Sequence, residues 1–326
     1  MDNGLLMNAI KGAYCHKNVG KFIRNNIKEN MSLENIAKII ENKIKEEIKY
    51  NSKEPISKGI AFPVGLSLNN CAAHYCPNYN ENPIYYTEND ILKIDYGVHF
   101  EGVIIDSAFT ISKNPNYEEF INISRNLTNY AVSLCGPDAI LGEIGTCIEE
   151  YIKSKEIEIN GKVYTLKTMS DLSGHKIKPY EIHAGVAVPN ISILYPLRMN
   201  EEEFYAIEPF ITTGEGLSIY KEPNSHYMLN KTYQNNLKIL NKTDKFLLNI
   251  IKNNYFTLPF CQRWLYELET NIIFDINLTL KSLNNKNILN TYPPIYDIED
   301  SIISQFEHTI YVKDNGIINL TKNDYY

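Results

Sequence analysis

Five residues spread along the chain are of the types that bind divalent metal ions: Asp95, Asp106, His175, Glu208 and Glu307. Both aspartates lie inside apolar runs of β-type composition, where strand propensity disfavours Asp. Each glutamate stands in a short apolar strand, and the histidine follows a glycine-bearing loop. Four carboxylates and one imidazole without a thiolate suit two hard or borderline ions better than one structural zinc. The residue types therefore predict a pair of divalent ions bridged by carboxylates.

The two aspartates are predicted to share one β-hairpin. Residues 91–112 form two β-type runs around a turn near Glu101-Gly102. Because the turn lies midway between Asp95 and Asp106, we expect the two carboxylates nearly opposite one another across the ladder. Two unpaired carboxylates would repel each other there, and a bound cation is the simplest compensation. For the hairpin taken alone, the alternative is that one aspartate caps a turn and the other pairs with a lysine.

The other elements follow a mixed α and β pattern. An amphipathic helix is predicted after Ser32, a suitable N-cap. Further segments are predicted as loops with short strands over 55–74, helices over 117–136 and 138–154, and strands over 162–168, 205–210 and 305–312. From about 222 to 290, asparagine and lysine become frequent and helical spacing dominates, which predicts a helical insertion.

Composition excludes several classes of protein. The 326 residues carry a net charge of −7, which argues against binding nucleic acid through bulk charge. No apolar run approaches the roughly 18 residues that a membrane span needs. Six scattered cysteines without a CxxC pair indicate neither a disulfide framework nor a zinc knuckle, and they fit a reducing compartment. We therefore expect a cytoplasmic protein that contacts neither membrane nor nucleic acid directly.

Ordered motifs along nearly the whole chain resemble one family, the type 2 methionine aminopeptidases of pita-bread fold. The most specific motifs are Gly59-Ile-Ala-Phe-Pro-Val-Gly-Leu-Ser-Leu-Asn-Asn-Cys-Ala-Ala-His74, Lys93-Ile-Asp-Tyr-Gly97, Ile104-Ile-Asp-Ser-Ala-Phe-Thr110, Gly174-His-Lys-Ile177, Ile182-His-Ala-Gly185, Ala206-Ile-Glu-Pro-Phe210, Ser225-His-Tyr-Met228, Phe260-Cys-Gln-Arg-Trp264, Tyr292-Pro-Pro294 and Gln305-Phe-Glu-His-Thr309. The resemblance implies an α+β pita-bread (creatinase/aminopeptidase) fold. It also implies a single catalytic domain over 1–326, with the helical insertion at about 222–290 inside it.

The resemblance assigns a role to each of the five candidate ligands. It implies that Asp95 chelates one ion, that Asp106 and Glu307 bridge both, and that His175 and Glu208 complete the second site. The cofactors are then two divalent ions. Co, Mn, Fe and Zn all remain open, because the ligand set accepts each of them.

The resemblance also implies catalytic and substrate-binding residues. Glu208 would be the proton shuttle while a hydroxide bridging the two metals attacks the first peptide carbonyl. His74 and His183 resemble the histidines that contact the substrate, and fumagillin-type epoxides alkylate the histidine at the position of His74. The side chains that would line a methionine pocket are Phe62, Ile182, Phe210, His226 and Tyr292. Pro259 stands where the family commonly has alanine, so the wall of this pocket departs from the family pattern there.

The implied activity is removal of the N-terminal methionine from nascent proteins with a small second residue. We expect a monomer that binds N-terminal peptides. Transient ribosome association stays open, because the chain begins almost at the catalytic domain. One alternative is an Xaa-Pro aminopeptidase or dipeptidase with the same ligands, although only about 90 residues precede Asp95. The other is a catalytically inactive pita-bread binding protein, a class that typically loses metal ligands.

Overall fold

The computed structural model describes residues 3–268 and 273–323, and these residues form a mixed α and β fold. The helices are α1 (Asn3–Asn26), α2 (Leu33–Glu47), α3 (Glu118–Ser133), α4 (Leu141–Lys153), α5 (Lys242–Asn254), α6 (Gln262–Glu267) and α7 (Ile276–Asn285). The strands are β1 (Lys58–Leu68), β2 (Cys71–Ala73), β3 (Ile91–Phe100), β4 (Val103–Ser112), β5 (Glu156–Ile159), β6 (Lys162–Thr165), β7 (Lys167–Thr168), β8 (Ser173–Ile177), β9 (Ala187–Pro189), β10 (Phe204–Ile207), β11 (Phe210–Thr212), β12 (Ile219–Tyr220), β13 (His226–Leu229), β14 (Leu289–Tyr292), β15 (Ile295–Tyr296), β16 (Ile303–Gln305), β17 (His308–Lys313) and β18 (Gly316–Asn319). Among the described residues, no helix is both long and apolar enough to span a membrane.

The predicted hairpin is confirmed as the β3–β4 pair. Its turn residues Glu101 and Gly102 both have positive φ, 48° and 76°. Positive φ at both central residues is the geometry of the two-residue turn that matches strand twist, and glycine adopts it without steric cost. The hairpin joins β1 in one antiparallel sheet, against which α1 and α2 pack. The prediction of a helix after Ser32 is also confirmed, since the Ser32 side chain accepts a hydrogen bond from Asn35 N.

One prediction about this region is right only in part. Residues 55–74, predicted as loops and short strands, contain the eleven-residue strand β1, whose register with β3 shifts on either side of Phe62. The sheet order β1-β3-β4 places β1 at an edge. An edge strand with bulges tolerates Pro63, because the missing N–H costs no ladder bond there.

Two further sheets carry the second half of the fold. The five-stranded sheet has the order β18-β17-β10-β8-β9, and a three-stranded sheet has the order β16-β11-β7. The chain passes from the five-stranded sheet to the sheet β16-β11-β7 between β10 and β11. It returns to the five-stranded sheet between β16 and β17. α3 and α4 contribute to a core cluster that also contains buried side chains of β10, β11 and β17.

The segment predicted as a helical insertion contains α5, α6 and α7, with residues 269–272 outside the described part. The antiparallel pair β13–β14 joins the two ends of this segment, with His226 opposite Tyr292. The three helices share a buried apolar cluster that includes Leu247, Ile251 and Trp264. The helical segment thus contributes most of one buried cluster, which also includes Cys76, and its base is a strand pair.

Candidate metal centre and substrate cavity

The hairpin places the two aspartates on the same face of the sheet. Asp95 lies opposite Ala108, and Asp106 lies opposite Gly97. The two aspartates are therefore diagonal neighbours on one face, offset by two residues, which agrees with the expectation that they lie nearly opposite one another. Diagonal pairs on one face remain within reach of each other. The offset follows from the turn, whose two central residues are Glu101 and Gly102.

The two glutamates lie at the breaks where the chain changes sheets, and not inside strands as the sequence predicted. Glu208 follows β10, and Glu307 precedes β17. Ile207 pairs with His308 in one sheet and Phe210 pairs with Gln305 in the other, so the two breaks face each other. At such a break both backbones leave the regular pleat, which directs each glutamate to the same side.

His175 lies in β8, directly opposite Ala206 of β10. Its Nε2 is 3.3 Å from Glu208 Oε1 and 3.6 Å from Asp106 Oδ2. Ligand atoms of Asp106, His175 and Glu307 all lie within 4.8 Å of one another. Glu307 is held beside the hairpin because its N–H donates to Ala108 O at 2.9 Å. These spacings are short enough for one ion to bind several of the side chains.

The carboxylates of this cluster lack the partners that buried charges need. Asp95 Oδ1, Asp106 Oδ1 and both carboxylate oxygens of Glu307 are buried and receive no hydrogen bond from the described residues. Burial raises the pKa of Asp106 and Glu307 well above the usual range, and the neighbouring carboxylates raise it further. Burial, with the charge of Glu208, does the same for Asp95. Unpaired buried carboxylates are costly, and divalent cations offset that cost, so the donor set fits metal ions.

Glu208 differs from the other carboxylates because a neutral side chain orients it. Gln305 Nε2 donates a hydrogen bond to Glu208 Oε2 at 3.1 Å. Burial raises the pKa of Glu208 to about 8, and the hydrogen bond from Gln305 acts in the opposite direction. The carboxyl group thus has one oxygen toward His175 and the other held by Gln305.

A single cavity of about 400 Å³ contains every residue predicted for the site. The twelve residues that share it are Phe62, His74, Asp95, Asp106, His175, Ile182, His183, Glu208, Phe210, His226, Tyr292 and Glu307. Pro259 also lines the wall. Sequence reasoning assigned no role to three further lining residues, Met228, Val186 and Tyr195, nor to Gln305 behind the wall. The sequence did contain a signal for Tyr195, because this residue lies in an apolar run that has neither helical nor strand periodicity.

Four histidines stand around the cavity with neutral rings near neutral pH. Burial lowers the pKa of His74 and His175 to about 4, and burial with neighbouring histidine charges lowers that of His183 and His226 to about 3. The His183 ring packs edge-on against His175, with centroids 4.3 Å apart. His74 lies 5.6 Å from His226 and 5.9 Å from Tyr292 by the same measure.

His74 has a backbone conformation that residues other than glycine rarely adopt. Its φ is +64°, in the left-handed region, which costs free energy for a histidine. The Ser225 hydroxyl donates a hydrogen bond to His74 O and contacts His226 Nδ1 at 3.0 Å. His226 Nε2 lies 3.3 Å from Pro63 O. These contacts fix His74 and His226 as a pair at one end of the cavity.

Comparison with known proteins identifies the family. Residues 10–233 match the model of metallopeptidase family M24. The chain belongs to metallopeptidase family M24. It is 37% identical over 328 residues to methionine aminopeptidase 2-2 of Talaromyces stipitatus, covering 100% of this chain and 70% of that protein. It is also 37% identical to methionine aminopeptidase 2 of Encephalitozoon hellem, covering 100% of this chain and 89% of that protein.

Solved structures agree on the fold. A thermophilic Arx1 superposes with a TM-score of 0.83 at 14% identity, over 100% of this chain and 93% of that one. Methionine aminopeptidase from Thermotoga maritima gives 0.65 at 17% identity, over 99% and 98% of the two chains. The chain therefore has the pita-bread fold. Its similarity to methionine aminopeptidases shows that it is a metal-dependent aminopeptidase and thus a hydrolase. The predictions of family, fold and enzyme class are confirmed.

Proposed function

We propose that this M24 aminopeptidase removes the N-terminal methionine from nascent proteins whose second residue is small. The observation that carries the proposal is the single cavity that holds five metal-binding side chains, two further histidines and an apolar wall. The relatives named methionine aminopeptidase 2 support the same activity. We further propose that the enzyme acts in the cytoplasm as a monomer, and that one catalytic domain contains the helical segment as an insertion.

Two divalent ions fit the proposed arrangement of ligands. Asp95 would hold one ion, Asp106 and Glu307 would hold both, and His175 and Glu208 would complete the second site. When bound, such ions polarise a peptide carbonyl and lower the pKa of a water molecule. The unpaired oxygens of Asp95, Asp106 and Glu307 supply the negative charge that this chemistry requires.

Glu208 is the proposed proton shuttle. Its carboxylate lines the cavity beside His175, and Gln305 fixes its orientation at 3.1 Å. Bound cations would favour its ionised form, and in that form it takes a proton from the attacking water and passes it to the nitrogen of the leaving amine. Because Gln305 is a neutral donor, it orients the carboxylate without neutralising its charge.

His74 and His183 are proposed to bind the reacting peptide. Both rings line the cavity, and both are neutral at the pH of the cytoplasm because burial lowers their pKa. A neutral imidazole can donate one hydrogen bond to the charge that develops on the carbonyl oxygen, or to the departing group. The contacts of Ser225 with His74 O and the His226 ring support this placement.

The apolar wall is proposed to bind the methionine side chain. The wall consists of Phe62, Ile182, Phe210, His226 and Tyr292, all of which line the cavity. Aromatic and aliphatic walls suit an unbranched, polarisable thioether. Met228 and Pro259 line the same cavity and extend its apolar wall, which suits an unbranched apolar side chain at the first residue.

The proposal is tested by peptide hydrolysis with Mn²⁺ or Co²⁺ added to the metal-free chain. We expect release of methionine from Met-Ala-Ser and little release from Met-Leu-Ser, and we expect Glu307→Ala to abolish both turnover and the binding of a second ion. Cleavage restricted to Xaa-Pro peptides would support the proline-directed alternative. An inactive chain that binds no metal would support the binding protein.

A fumagillin-type epoxide should form an adduct on His74 in the wild type, and none in His74→Asn.

A further inference from the structure

Residues 191–197, here called the apolar loop, expose large hydrophobic side chains to solvent. They follow β9 after one intervening residue, Asn190. Leu194 is 98% exposed, and Ile193 and Leu197 are each 46% exposed. Single exposed apolar residues are common, but three within five positions form a local patch.

The backbone of the apolar loop is fixed against the start of α4. Gly142 N donates to Tyr195 O at 3.1 Å, and Leu141 N donates to Leu197 O at 2.9 Å. The contact is close because α4 has glycines there: a Cβ at Gly142 would lie 2.8 Å from Tyr195 O, and one at Gly145 would lie 2.4 Å from Ile191 O. Because the backbone is held in this way, Ile193, Leu194 and Leu197 stay exposed unless another molecule covers them.

The apolar loop is continuous with the substrate cavity. Tyr195 lines the same cavity as His175 and Glu208, and its hydroxyl accepts a hydrogen bond from Ala187 N at 3.4 Å. Ala187 lies on β9, an edge strand that also lines the cavity. Leu194 and Ile193 directly precede Tyr195 in the chain, so a peptide that left the cavity beside Tyr195 would meet them next.

We propose that the apolar loop binds hydrophobic side chains of the substrate that lie beyond its second residue. This inference rests on the proposed function and deepens it. The enzyme would select substrates by residues farther from the scissile bond as well as by the residue next to it. Continuity with the cavity favours the substrate itself as the occupant over a second copy of the chain. Tyr195 lies in the cavity wall, next in the chain to the exposed Leu194.

The test compares two hexapeptides, Met-Ala-Leu-Leu-Leu-Ser and Met-Ala-Ser-Ser-Ser-Ser, on the metal-loaded enzyme. We expect the wild type to cleave the leucine peptide with about fivefold higher kcat/KM, because partial burial of one leucine accounts for a factor of this order. Leu194→Ser should reduce that preference to about one, mainly through KM. Activity on Met-Ala-Ser should stay unchanged, since that peptide ends near the cavity. Leu278→Ser is the matched control, because Leu278 is an exposed leucine of α7 (67% exposed).

Each outcome separates the inference from the function on which it rests. Failure of the wild type to cleave Met-Ala-Ser overturns the proposed function and this inference together. Normal cleavage of Met-Ala-Ser with equal rates on the two hexapeptides overturns only the inference, and so does a preference that survives in Leu194→Ser. A dimer in sedimentation experiments that Leu194→Ser dissociates would assign the loop to a subunit interface and would also overturn the inference.

Discussion

At the scale of a single residue, the buried carboxyl group of Glu307 lowers the stability of the metal-free protein. Its side chain is 1% exposed, and neither carboxylate oxygen receives a hydrogen bond from the described residues. An unsatisfied buried group costs roughly 1–3 kcal/mol, and more when it is charged. The metal-free protein therefore contains a local conflict that bound cations relieve.

We predict that Glu307→Gln raises the stability of the metal-free protein by about 1–2 kcal/mol, because it replaces, without changing the volume, a group that must be buried with its charge or take up a proton on folding. The same variant should lose most of the increase in Tm that Mn²⁺ or Co²⁺ produces in the wild type. Differential scanning calorimetry with and without metal measures both effects. Glu299→Gln, at an exposed position, should change neither. A metal-free variant less stable than the wild type would contradict the prediction.

The hydrogen bond from Gln305 to Glu208 leads to a second prediction. Gln305→Leu keeps the approximate volume but removes the donor that holds Glu208 Oε2 at 3.1 Å. Because hydrogen bonds to charged groups contribute about 1.5–3 kcal/mol, we expect kcat to fall by about tenfold or more while KM for Met-Ala-Ser changes little. Gln234→Leu on an exposed segment is the control. An unchanged kcat would show that Glu208 needs no such orientation.

Residue types and spacing were sufficient to select five candidate ligands that line one cavity, but not the residues that support them. An aspartate in an apolar strand stands out, because burial of a charge demands a reason. Gln305 and Tyr195 do not stand out, since a glutamine or a tyrosine is ordinary in either a core or a surface. Their importance depends on contacts with Glu208 and with β9, which only the folded chain defines.

At the scale of elements, α5 begins with a reciprocal cap that is also tied to α7. Asn241 Oδ1 accepts from Asp244 N at 2.8 Å, and Asp244 Oδ2 accepts from Asn241 N at 3.1 Å. Lys286 Nζ lies 2.5 Å from the same Asp244 oxygen. Burial alone would raise the pKa of Asp244, but the hydrogen bonds from Lys286 and Asn241 N lower it below its usual value.

We predict that Asp244→Ala lowers the free energy of unfolding by about 1–2 kcal/mol at pH 7. A depressed pKa means that the unfolded state binds the proton more readily, so this contribution is present above the unfolded pKa of about 4 and is lost as pH falls through the folded pKa. The difference between wild type and variant should therefore shrink below about pH 4 in urea titrations. Asp275→Ala removes a simple cap of α7 and should cost less. A difference that grows in acid would contradict this prediction.

Which elements could be predicted depended on how locally each one is determined. The β3–β4 hairpin and α2 follow from turn chemistry, a cap and periodicity, and both form as expected. β1 was hidden by its proline and glycines, because edge position and bulges are properties of the sheet and not of the segment. The breaks at Glu208 and Glu307 were missed for the same reason: a strand that changes sheets has an unbroken apolar sequence.

At the scale of the whole molecule, a buried ion pair connects α2 near the start of the chain to the helical segment. Arg263 donates to Glu41 through both terminal nitrogens, at 2.9 and 2.6 Å. Trp264 Nε1 donates to the same carboxylate at 2.9 Å. Glu41 and Arg263 are 2% and 1% exposed. No local pattern relates residues 222 positions apart, so the sequence could not predict this contact.

We predict that Arg263→Met lowers the free energy of unfolding by about 3–5 kcal/mol, because it leaves the Glu41 carboxylate buried without its counter-charge. The double variant Arg263→Met with Glu41→Gln should recover part of that loss, since the remaining amide can still accept from Trp264 and no charge stays buried. Glu267→Gln, which changes only the more exposed partner of Arg263, is the control and should cost less than about 1 kcal/mol. Urea unfolding of the four proteins at pH 7 measures these differences. If the double variant were as unstable as Arg263→Met, shape and not charge would join the helical segment to α2.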